Sequence, residues 1–524
     1  MTTLTLKSEA AASALPAEHP GERGSLAVLL AIFLLVVLSA MIWPGDVLWI
    51  NDEPRLIAAA WHANQSHTLS VGGLYGNFGI RYGPAATQIY QALLLLTHDP
   101  ETLAMLRSFL SAGVTVLSLL WLARTLRLSP WLAAALCLAP QVWQFQRVLW
   151  DASFAIPMGA LAMAACASFF ERRRPRDLLL ALGATLLLPF IHPQDLPLFA
   201  AIGGALAWKG RRELRLHWKP ALLVLGAVLA LNGIYIVEAL WGLAHRLGGA
   251  VAAGYPTAES HWRTALAPFL GGNLLSDYKF TGAVTAPESS NSLTSIAGWV
   301  SRLIYPLAWA GIALAARNAI TPRLSPTGDS SAETRTSVER ILLTALTLQA
   351  VLFGVMRIPP EPQYFFGSFV VQALLPWLAL DAMRPRLAGR LLSVAYAGAV
   401  CFVTLHGMMS IHRHGYGTQP PWITLGNQVK VARELNRYSD AAAITDAPMY
   451  QAYPQALRAL RLLLPPEPGT VQSASHRLFI RASTAPSAPR GQIELVEEPA
   501  GAPPPPEGSS IDLTPLPAGW QPAG

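Results

Sequence analysis

The stretch LAVLLAIFLLVVLSAMIWPGDVLWINDE, residues 26–53, decides the fold class of this chain. Its first part is an apolar run that is long enough to cross a bilayer as a helix, which takes about 20 mainly apolar residues. Two acids, Asp52 and Glu53, follow shortly after the run. The flank at residues 43–46 lacks the small-residue pattern of a signal-peptide cleavage site, so we expect a retained membrane helix.

The composition of the whole chain is that of a membrane protein. Of 524 residues, 52% are hydrophobic and 13% are charged, whereas a soluble domain carries about 25% charged residues. These values exclude a water-soluble globular enzyme and a disordered chain. The net charge of +7 comes mainly from connectors between apolar runs, where membrane orientation explains basic residues better than nucleic-acid binding does. The three cysteines show no metal or disulfide spacing.

Apolar runs recur along residues 25–409 and predict about eleven membrane helices. Because Lys and Arg resist translocation, the basic connectors should face the cytoplasm, which places the N-terminal tail (residues 1–24) inside and the C-terminus outside. The basic connectors are Arg124 with Arg127, 172–176, 209–219, 317–340 and 384–390. The predicted spans are 25–44, 101–123, 130–148, 153–170, 177–191, 196–208, 219–241, 297–316, 339–356, 364–381 and 388–409.

Residues 84–97 form an apolar stretch that is too short to span, so we expect a helix in the outer interface. Two long outer loops result, residues 45–100 and 242–296, and loops of such length are usually functional or disordered. Residues 410–500 are polar and Pro-rich and predict a small extracytoplasmic α+β domain, followed by a Pro-rich flexible tail at 501–524. The predicted fold is therefore an all-α polytopic membrane protein with a small α+β appendage.

Acids and a histidine fall at the predicted outer ends of several helices. Acids near the hydrocarbon boundary are costly and tend to be functional. However, Asn51 is a good N-cap, so Asp52 and Glu53 also fit a role in capping a helix. Asp151 and His192 each also fit a polar hairpin turn. Their shared outer face favours a site where a base acts on a group presented from the lipid.

Four arginines at or near the same face are candidate phosphate ligands, because the guanidinium fork binds phosphate bidentately. The alternative for each is an interfacial anchor that extends its charge to water. The four are Arg55, Arg81, Arg147 and Arg357.

An acid pair follows the first span directly, and several phrases lie at the predicted outer ends of the spans. They are Asn51-Asp52-Glu53, Tyr82-Gly83-Pro84 through Tyr90, Arg107, Arg147 with Trp150-Asp151, and Pro362-Gln363-Tyr364-Phe365 before a span with Pro376. With the topology, these phrases resemble the GT-C glycosyltransferases, in particular the bacterial protein O-mannosyltransferase-like and aminoarabinose-transferase-like membrane enzymes. The resemblance covers residues 25–410.

The resemblance implies an inverting membrane glycosyltransferase with a polyprenyl-phosphate sugar donor and an acceptor hydroxyl at the extracytoplasmic face. It implies Asp52 as the base, with Glu53 and Asp151 lining the site or assisting a divalent metal ion. The metal candidates are Glu53, Asp151 and His192, and metal dependence stays open. The implied substrate-binding residues are Arg55, Arg81, Tyr82, Arg147, His192, Arg357 and Tyr364.

One phrase departs from the family. The aminoarabinose-transferase relatives carry a Lys-Pro-Pro-Leu type phrase where this chain has Tyr82-Gly83-Pro84-Ala85. The phosphate contact of that lysine therefore has no direct equivalent, and Arg81 is the candidate substitute.

The expected partners are a polyprenyl-phosphate sugar, the lipid bilayer and an acceptor that is a protein, a lipid or a glycan, with no nucleic acid; the expected location is a bacterial inner membrane. The alternative function is a secondary transporter or flippase of a lipid-linked or anionic substrate. Transporters usually place ionisable groups near the bilayer midplane, whereas the spans here are nearly free of acids in their middles. A non-catalytic assembly protein is a third possibility, and it predicts that Asp52 can be lost without consequence.

Overall fold

A computed structural model describes most of the chain. The residues it describes are 20–75, 81–252, 296, 304–321, 330–356, 367, 369–415, 423–438, 442–445, 450, 452–465, 477–485, 492–499 and 510–520. Two predicted site residues, Arg357 and Tyr364, lie outside the described residues, as does most of the predicted outer loop 242–296.

The described part of the chain is mainly helical. Three 3₁₀ turns, at Pro44–Asp46, Ala152–Phe154 and Pro193–Asp195, connect helices at one end of the bundle. The helices are α1 (Pro20–Met41), α2 (Asp52–Gln65), α3 (Ala85–Leu94), α4 (Pro100–Leu126), α5 (Pro130–Cys137), α6 (Pro140–Phe145), α7 (Ala155–Arg172), α8 (Pro175–Ile191), α9 (Leu196–Lys209), α10 (Arg211–Leu216), α11 (Trp218–Ala252), α12 (Ile304–Ile320), α13 (Ser330–Met356), α14 (Phe369–Met383), α15 (Leu387–His414), α16 (Leu425–Leu435) and α17 (Gln455–Leu463).

The helices confirm a helical membrane protein, while the number of spans stays a prediction. Among the described residues, four stretches are long and apolar enough to cross a membrane, namely Pro100–Leu126, Ala152–Arg172, Trp218–Trp241 and Leu387–Arg413. The predicted span 130–148 is not one helix but two, α5 and α6. Pro140 explains the break, because proline lacks an N–H and its ring clashes with the preceding turn.

Ion pairs join the basic connectors at one end of the bundle, which we call the ion-pair end. Arg173 lies 3.5 Å from Glu213, and Lys209 lies 3.0 Å from Glu333. Asp381 pairs with Arg335 at 3.2 Å and with Arg384 at 3.9 Å. Connectors that the sequence places on one side of the membrane thus meet in space. Which side they face remains a prediction.

Helix α3 lies at the other end and has ten residues. At 1.5 Å per residue its length is about 15 Å, half the hydrocarbon thickness of about 30 Å. This length fits an interfacial helix. Leu95 and Leu96, directly after it, are exposed, whereas Tyr90 and Gln91 are buried against the protein.

The C-terminal part forms a four-stranded sheet in the order β3-β2-β1-β4. The strands are β1 (Ala442–Thr445), β2 (Arg477–Ala482), β3 (Ile493–Glu498) and β4 (Ser510–Asp512). Strand β1 is parallel to β2, and the other pairs are antiparallel. Helix α16 is tied to β3 because the Asn427 side chain bonds both backbone groups of Ile493, at 3.0 and 2.7 Å.

One segment differs from the predicted flexible tail at 501–524. Strand β4 pairs with β1, and Ile511, Leu513 and Leu516 are buried. The prediction of a flexible tail was based on its proline content and missed this short apolar pattern. Burial of these three apolar side chains stabilises the ordered conformation of the segment.

The sheet unit is fixed to the start of α2. The indole Nε1 of Trp49 donates to the Ala456 carbonyl at 2.8 Å, and the Gln428 amide donates to the Trp49 carbonyl at 2.7 Å. The Gln455 amide donates to Asn51 Oδ1 at 3.2 Å. The C-terminal unit therefore holds the segment that leads directly into Asp52.

Candidate functional site

Glu53 fixes the start of helix α2. Its carboxylate Oε2 accepts from the backbone N–H groups of Ile50 and Asn51, both at 3.2 Å, and the residue is 2% exposed. The Asn51 side chain occupies the N-cap position but makes no capping hydrogen bond. Glu53 therefore bonds the two backbone N–H groups that directly precede the helix, and this bonding favours a structural role for Glu53.

Asp52 is the accessible acid of the pair, with 35% of its side chain exposed. Its Oδ1 lies 3.2 Å from Nη1 of Arg55, one helical turn away, and the Arg55 side chain is almost fully buried. The helix N-terminus also favours a negative charge at this position. Asp52 is thus held in place by Arg55 and remains partly exposed.

Asp151 is buried and lies close to Asp52, although 99 positions separate the two residues in the chain. Its Oδ1 accepts from the Ala152 N–H at 2.7 Å. Burial, and after it the negative charge of Asp52, raise the pKa of Asp151 to about 7, and the charge of Glu53 contributes less strongly in the same direction. The mutual effect of these charges requires that the acids lie close together.

Arg107 is a residue whose role the sequence did not reveal. It is fully buried in α4 and donates to the Gln146 carbonyl and to Ser153 Oγ. These two partners lie on either side of Asp151 in the chain. Its guanidinium also lies 4.8 Å from the centre of the Phe154 ring. Arg107 therefore clamps the turn that carries Asp151; the available signal was a charge inside an apolar helix, which is costly and usually functional.

Tyr90, on the short helix α3, completes this group. Burial raises the pKa of its hydroxyl, while the positive charge of Arg107 opposes the rise and the charges of Asp151 and Glu53 add to it. The Tyr90 ring packs edge-on against Phe154 at 5.3 Å. We call Asp52, Glu53, Asp151, Tyr90 and Arg107 the carboxylate cluster.

Arg147, a predicted phosphate ligand, has another role in the structure. Its Nη2 donates to the carbonyls of Ile42 at 2.6 Å and Trp43 at 2.7 Å, and its guanidinium lies 4.3 Å from the centre of the Trp143 ring. Carbonyls just beyond a helix end lack partners in the helix. Arg147 therefore stabilises the end of α1 with this nitrogen, and its predicted role as a phosphate ligand stays a prediction.

Arg81 is also engaged. Its Nε donates to the Gly73 carbonyl at 3.1 Å, and its Nη1 pairs with Glu238 of α11 at 3.3 Å. The guanidinium lies 5.7 Å from the centre of the Tyr75 ring. Arg81 therefore links the first outer loop to α11, with its charge balanced by an acid.

Tyr82 and His192 lie together, as two of the predicted site residues. Their rings are 4.7 Å apart. Burial lowers the pKa of His192 to about 3, so the ring is neutral at physiological pH. The contact depends on Gly83, because a Cβ there would lie 1.8 Å from the Phe190 carbonyl oxygen. The phrase Tyr82-Gly83-Pro84 thus packs directly on the end of α8.

Asp195 lies in the 3₁₀ turn Pro193–Asp195, directly after the end of α8. It is buried, which raises the pKa of its carboxyl, and it accepts a hydrogen bond from the Gly367 N–H. A Cβ on Gly367 would lie 1.8 Å from Asp195 Oδ1. This contact anchors the chain directly after residues 357–366, the segment with Arg357 and Tyr364.

The predicted metal ligands do not form a ligand set. Within the described ranges, no group of three or more His, Cys, Asp or Glu side chains is close enough to hold a metal ion. Glu53 is bonded to its own helix start, and His192 packs on Tyr82. Glu53, Asp151 and His192 therefore do not fit a shared metal ion.

Neither a protein-family model nor a curated protein matches the chain. Among solved structures, it is similar to the crystal structure of ArnT from Cupriavidus metallidurans bound to undecaprenyl phosphate, at 14% identity and a TM-score of 0.49, over 92% of this chain and 99% of that chain. ArnT of the same organism in the apo state gives 12% identity and a TM-score of 0.47, over 88% and 93%. ArnT is an aminoarabinose transferase of the GT-C superfamily, one of the groups that the sequence resembles. Likeness of fold at this identity assigns no residue role.

Proposed function

We propose that this protein is a membrane glycosyltransferase that moves a sugar from a polyprenyl-phosphate donor to an acceptor hydroxyl at the carboxylate cluster. The observation that carries the proposal is the pairing of an accessible carboxylate, Asp52, with a buried one, Asp151, whose pKa is raised to about 7. Perturbed acids held together at the end of a helix bundle are candidates for acid–base chemistry.

Asp52 is the proposed base. It takes the proton of the acceptor hydroxyl while the hydroxyl oxygen attacks the anomeric carbon from the side opposite the phosphate. The bond between the anomeric carbon and the phosphate oxygen breaks, and the polyprenyl phosphate leaves with the bonding electrons. Attack from the opposite side inverts the anomeric centre. A positioned general base of this kind typically contributes a factor of about 10² to 10⁴ in rate.

Arg55 is the proposed partner of the departing phosphate. Its guanidinium is held beside Asp52, so positive charge lies near the reacting group before the substrate binds. Prearranged charge of this kind stabilises a leaving phosphate as its negative charge develops. The donor class itself comes from the resemblance of the sequence to GT-C enzymes.

The location of the cluster supports lipid-linked chemistry. It lies at the end of the bundle opposite the ion-pair end and includes Tyr90 of the interfacial helix α3. A lipid phosphate holds its sugar just outside the hydrocarbon. A base at the interface can therefore reach the acceptor without drawing the sugar into the membrane.

The experiment is an incubation of the purified full-length chain in lipid nanodiscs with polyprenyl-phosphate hexoses and pentoses. Mass spectrometry follows donor loss and product formation, with extracted envelope glycans, lipids and proteins as acceptors. We expect one donor to be consumed by the wild type and by Glu434→Gln, which alters an exposed acid of α16. If all donors remain intact and the protein moves the lipid across vesicle membranes, the glycosyltransferase proposal is wrong and the transporter or flippase alternative is favoured.

A further inference from the structure

A polar cavity lies apart from the carboxylate cluster, none of whose residues line it. Its volume is about 410 Å³, within the range of about 300–1,000 Å³ that small-molecule sites occupy. It opens where the 3₁₀ turn Pro44–Asp46 and the start of α4 meet the end of α15 and the start of α16. The side chains that decide its chemistry are Trp43, Asp46, Glu101, His412, Thr424 and Lys430.

An Asp–His pair on an aromatic ring forms one wall. His412 Nδ1 lies 2.9 Å from Asp46 Oδ2, and the His412 ring stacks on Trp43 at 4.0 Å with an interplanar angle of 11°. Bonding at Nδ1 fixes the orientation of the ring, as a carboxylate partner does for working histidines. The remaining ring nitrogen, Nε2, is then held in a defined direction.

The backbone at this wall is strained. Trp43 has φ 49° and ψ 62°, a left-handed conformation that bulky residues rarely adopt. Arg147 holds the Trp43 carbonyl at 2.7 Å, and His412 holds the ring. Strain that the surroundings maintain in this way concentrates at binding and catalytic sites.

The charges of the cavity identify the class of ligand. Asp46 and Glu101 are acids, whereas Lys430 is a base, so an anion such as phosphate would meet two carboxylates. A hydroxylated, uncharged ligand can donate to the carboxylates and accept from Lys430 and the Thr424 hydroxyl at once. A flat aromatic and imidazole surface beside these groups suits the apolar face of a sugar ring.

We propose that this cavity is a binding site for an uncharged saccharide unit, separate from the site at Asp52. No residue of the carboxylate cluster lines this cavity, and residues 47–50, which lie between Asp46 and Asp52 in the chain, are buried. A sugar bound in the cavity is therefore not in contact with Asp52. If the proposed function holds, on which this last step rests, the sugar is a remote unit of a glycan acceptor.

The test is isothermal titration of the full-length protein in detergent with mannose, glucose, galactose and arabinose, each alone. We expect one of them to bind, and Glu101→Gln and His412→Ala each to weaken binding about tenfold, the loss of roughly one good hydrogen bond. His406→Ala, on the same helix α15 but outside the cavity lining, should leave the affinity unchanged. Thermal unfolding of each variant checks that it is folded.

The proposal is overturned if no sugar binds, if both cavity variants bind as the wild type does, or if inorganic phosphate competes with the sugar. The two proposals fail separately. Asp52→Asn should retain sugar binding while it loses donor consumption. Sugar binding without donor consumption by the wild type would remove the proposed function alone, and donor consumption without sugar binding would remove the cavity site alone.

Discussion

Two buried acids at one end of the helix bundle differ from the ion-paired acids at the other end, although Asp52 at the first end also pairs with Arg55. At the ion-pair end, Glu213, Glu333 and Asp381 each lie within 4 Å of an arginine or a lysine. At the other end, Asp151 and Asp195 are buried, and no ion pair involves either of them among the described residues. Both carboxyls have raised pKa values, caused first by burial.

This difference separates structural charge from functional charge. Exposed or partly exposed ion pairs contribute about 0–1 kcal/mol each and need no further purpose at a connector. Buried acids without a neutralising partner are costly, and they persist where the protein uses them. The comparison predicts that substitutions at the cluster end affect activity strongly, and that substitutions at the ion-pair end affect it little.

The largest expected effect is that of Asp52→Asn. The amide keeps the shape of the side chain but cannot accept the proton of the acceptor hydroxyl, so the transfer rate should fall by about 10² to 10⁴. The measurement is the single-turnover rate of donor consumption in nanodiscs. Glu434→Gln is the control, and an Asp52→Asn enzyme that retains the wild-type rate would remove Asp52 from the mechanism.

The second largest effect is expected for Arg107→Gln. Loss of the guanidinium leaves the Gln146 carbonyl and Ser153 Oγ without this donor inside the bundle, at about 1–3 kcal/mol for each buried group, and it releases the turn that carries Asp151. We expect a lower unfolding temperature and transfer reduced at least about tenfold. Arg124→Gln, at the opposite end of the same helix and exposed, is the matched control. Equal behaviour of the two variants would contradict the clamp.

Gly83→Ala tests the packing of the first outer loop on α8. The added Cβ would meet the Phe190 carbonyl at 1.8 Å, so the backbone must shift, at a cost of about 1–3 kcal/mol. Gly203→Ala in α9 meets nothing within 4 Å and should stabilise its helix by about 0.5–1 kcal/mol. Thermal unfolding measures both. Unfolding temperatures that move in the same direction would show that the contact does not constrain the loop.

The smallest effect is expected for Asp381→Asn at the ion-pair end. It breaks the contacts with Arg335 and Arg384, which are partly exposed, so the stability change should stay below about 1 kcal/mol. Donor consumption should equal that of the wild type. A loss of transfer here would erase the functional difference between the two ends.

Much of this arrangement could be predicted from the sequence, because it depends on local patterns. Apolar runs locate the helices, and the alternation of basic connectors indicates that Asp52 and Asp151 share a face. The break at Pro140 was also available from the sequence, since proline interrupts a helix. The charge of Arg107 inside an apolar helix was also visible in the sequence, but its bonds to Gln146 and Ser153 were not.

The remaining details depend on contacts between distant segments. Arg147 stabilises the end of α1, about 100 positions earlier in the chain, and no spacing rule reports such a pairing. Arg81 is engaged by Glu238 for a similar reason. The Asn51 side chain, an expected N-cap, instead accepts a hydrogen bond from Gln455 of the C-terminal unit.

The most direct test of the central claim is the titration of Asp151 with and without its neighbour. Infrared difference spectroscopy follows the carbonyl band of a protonated carboxyl, which Asp151→Asn should remove. In the wild type the band should disappear as the pH rises through about 7. In Asp52→Asn, loss of the neighbouring negative charge should lower the pKa of Asp151, so the band should disappear at a lower pH. A band that titrates at the same pH in both proteins would contradict the convergence of the two acids at one site.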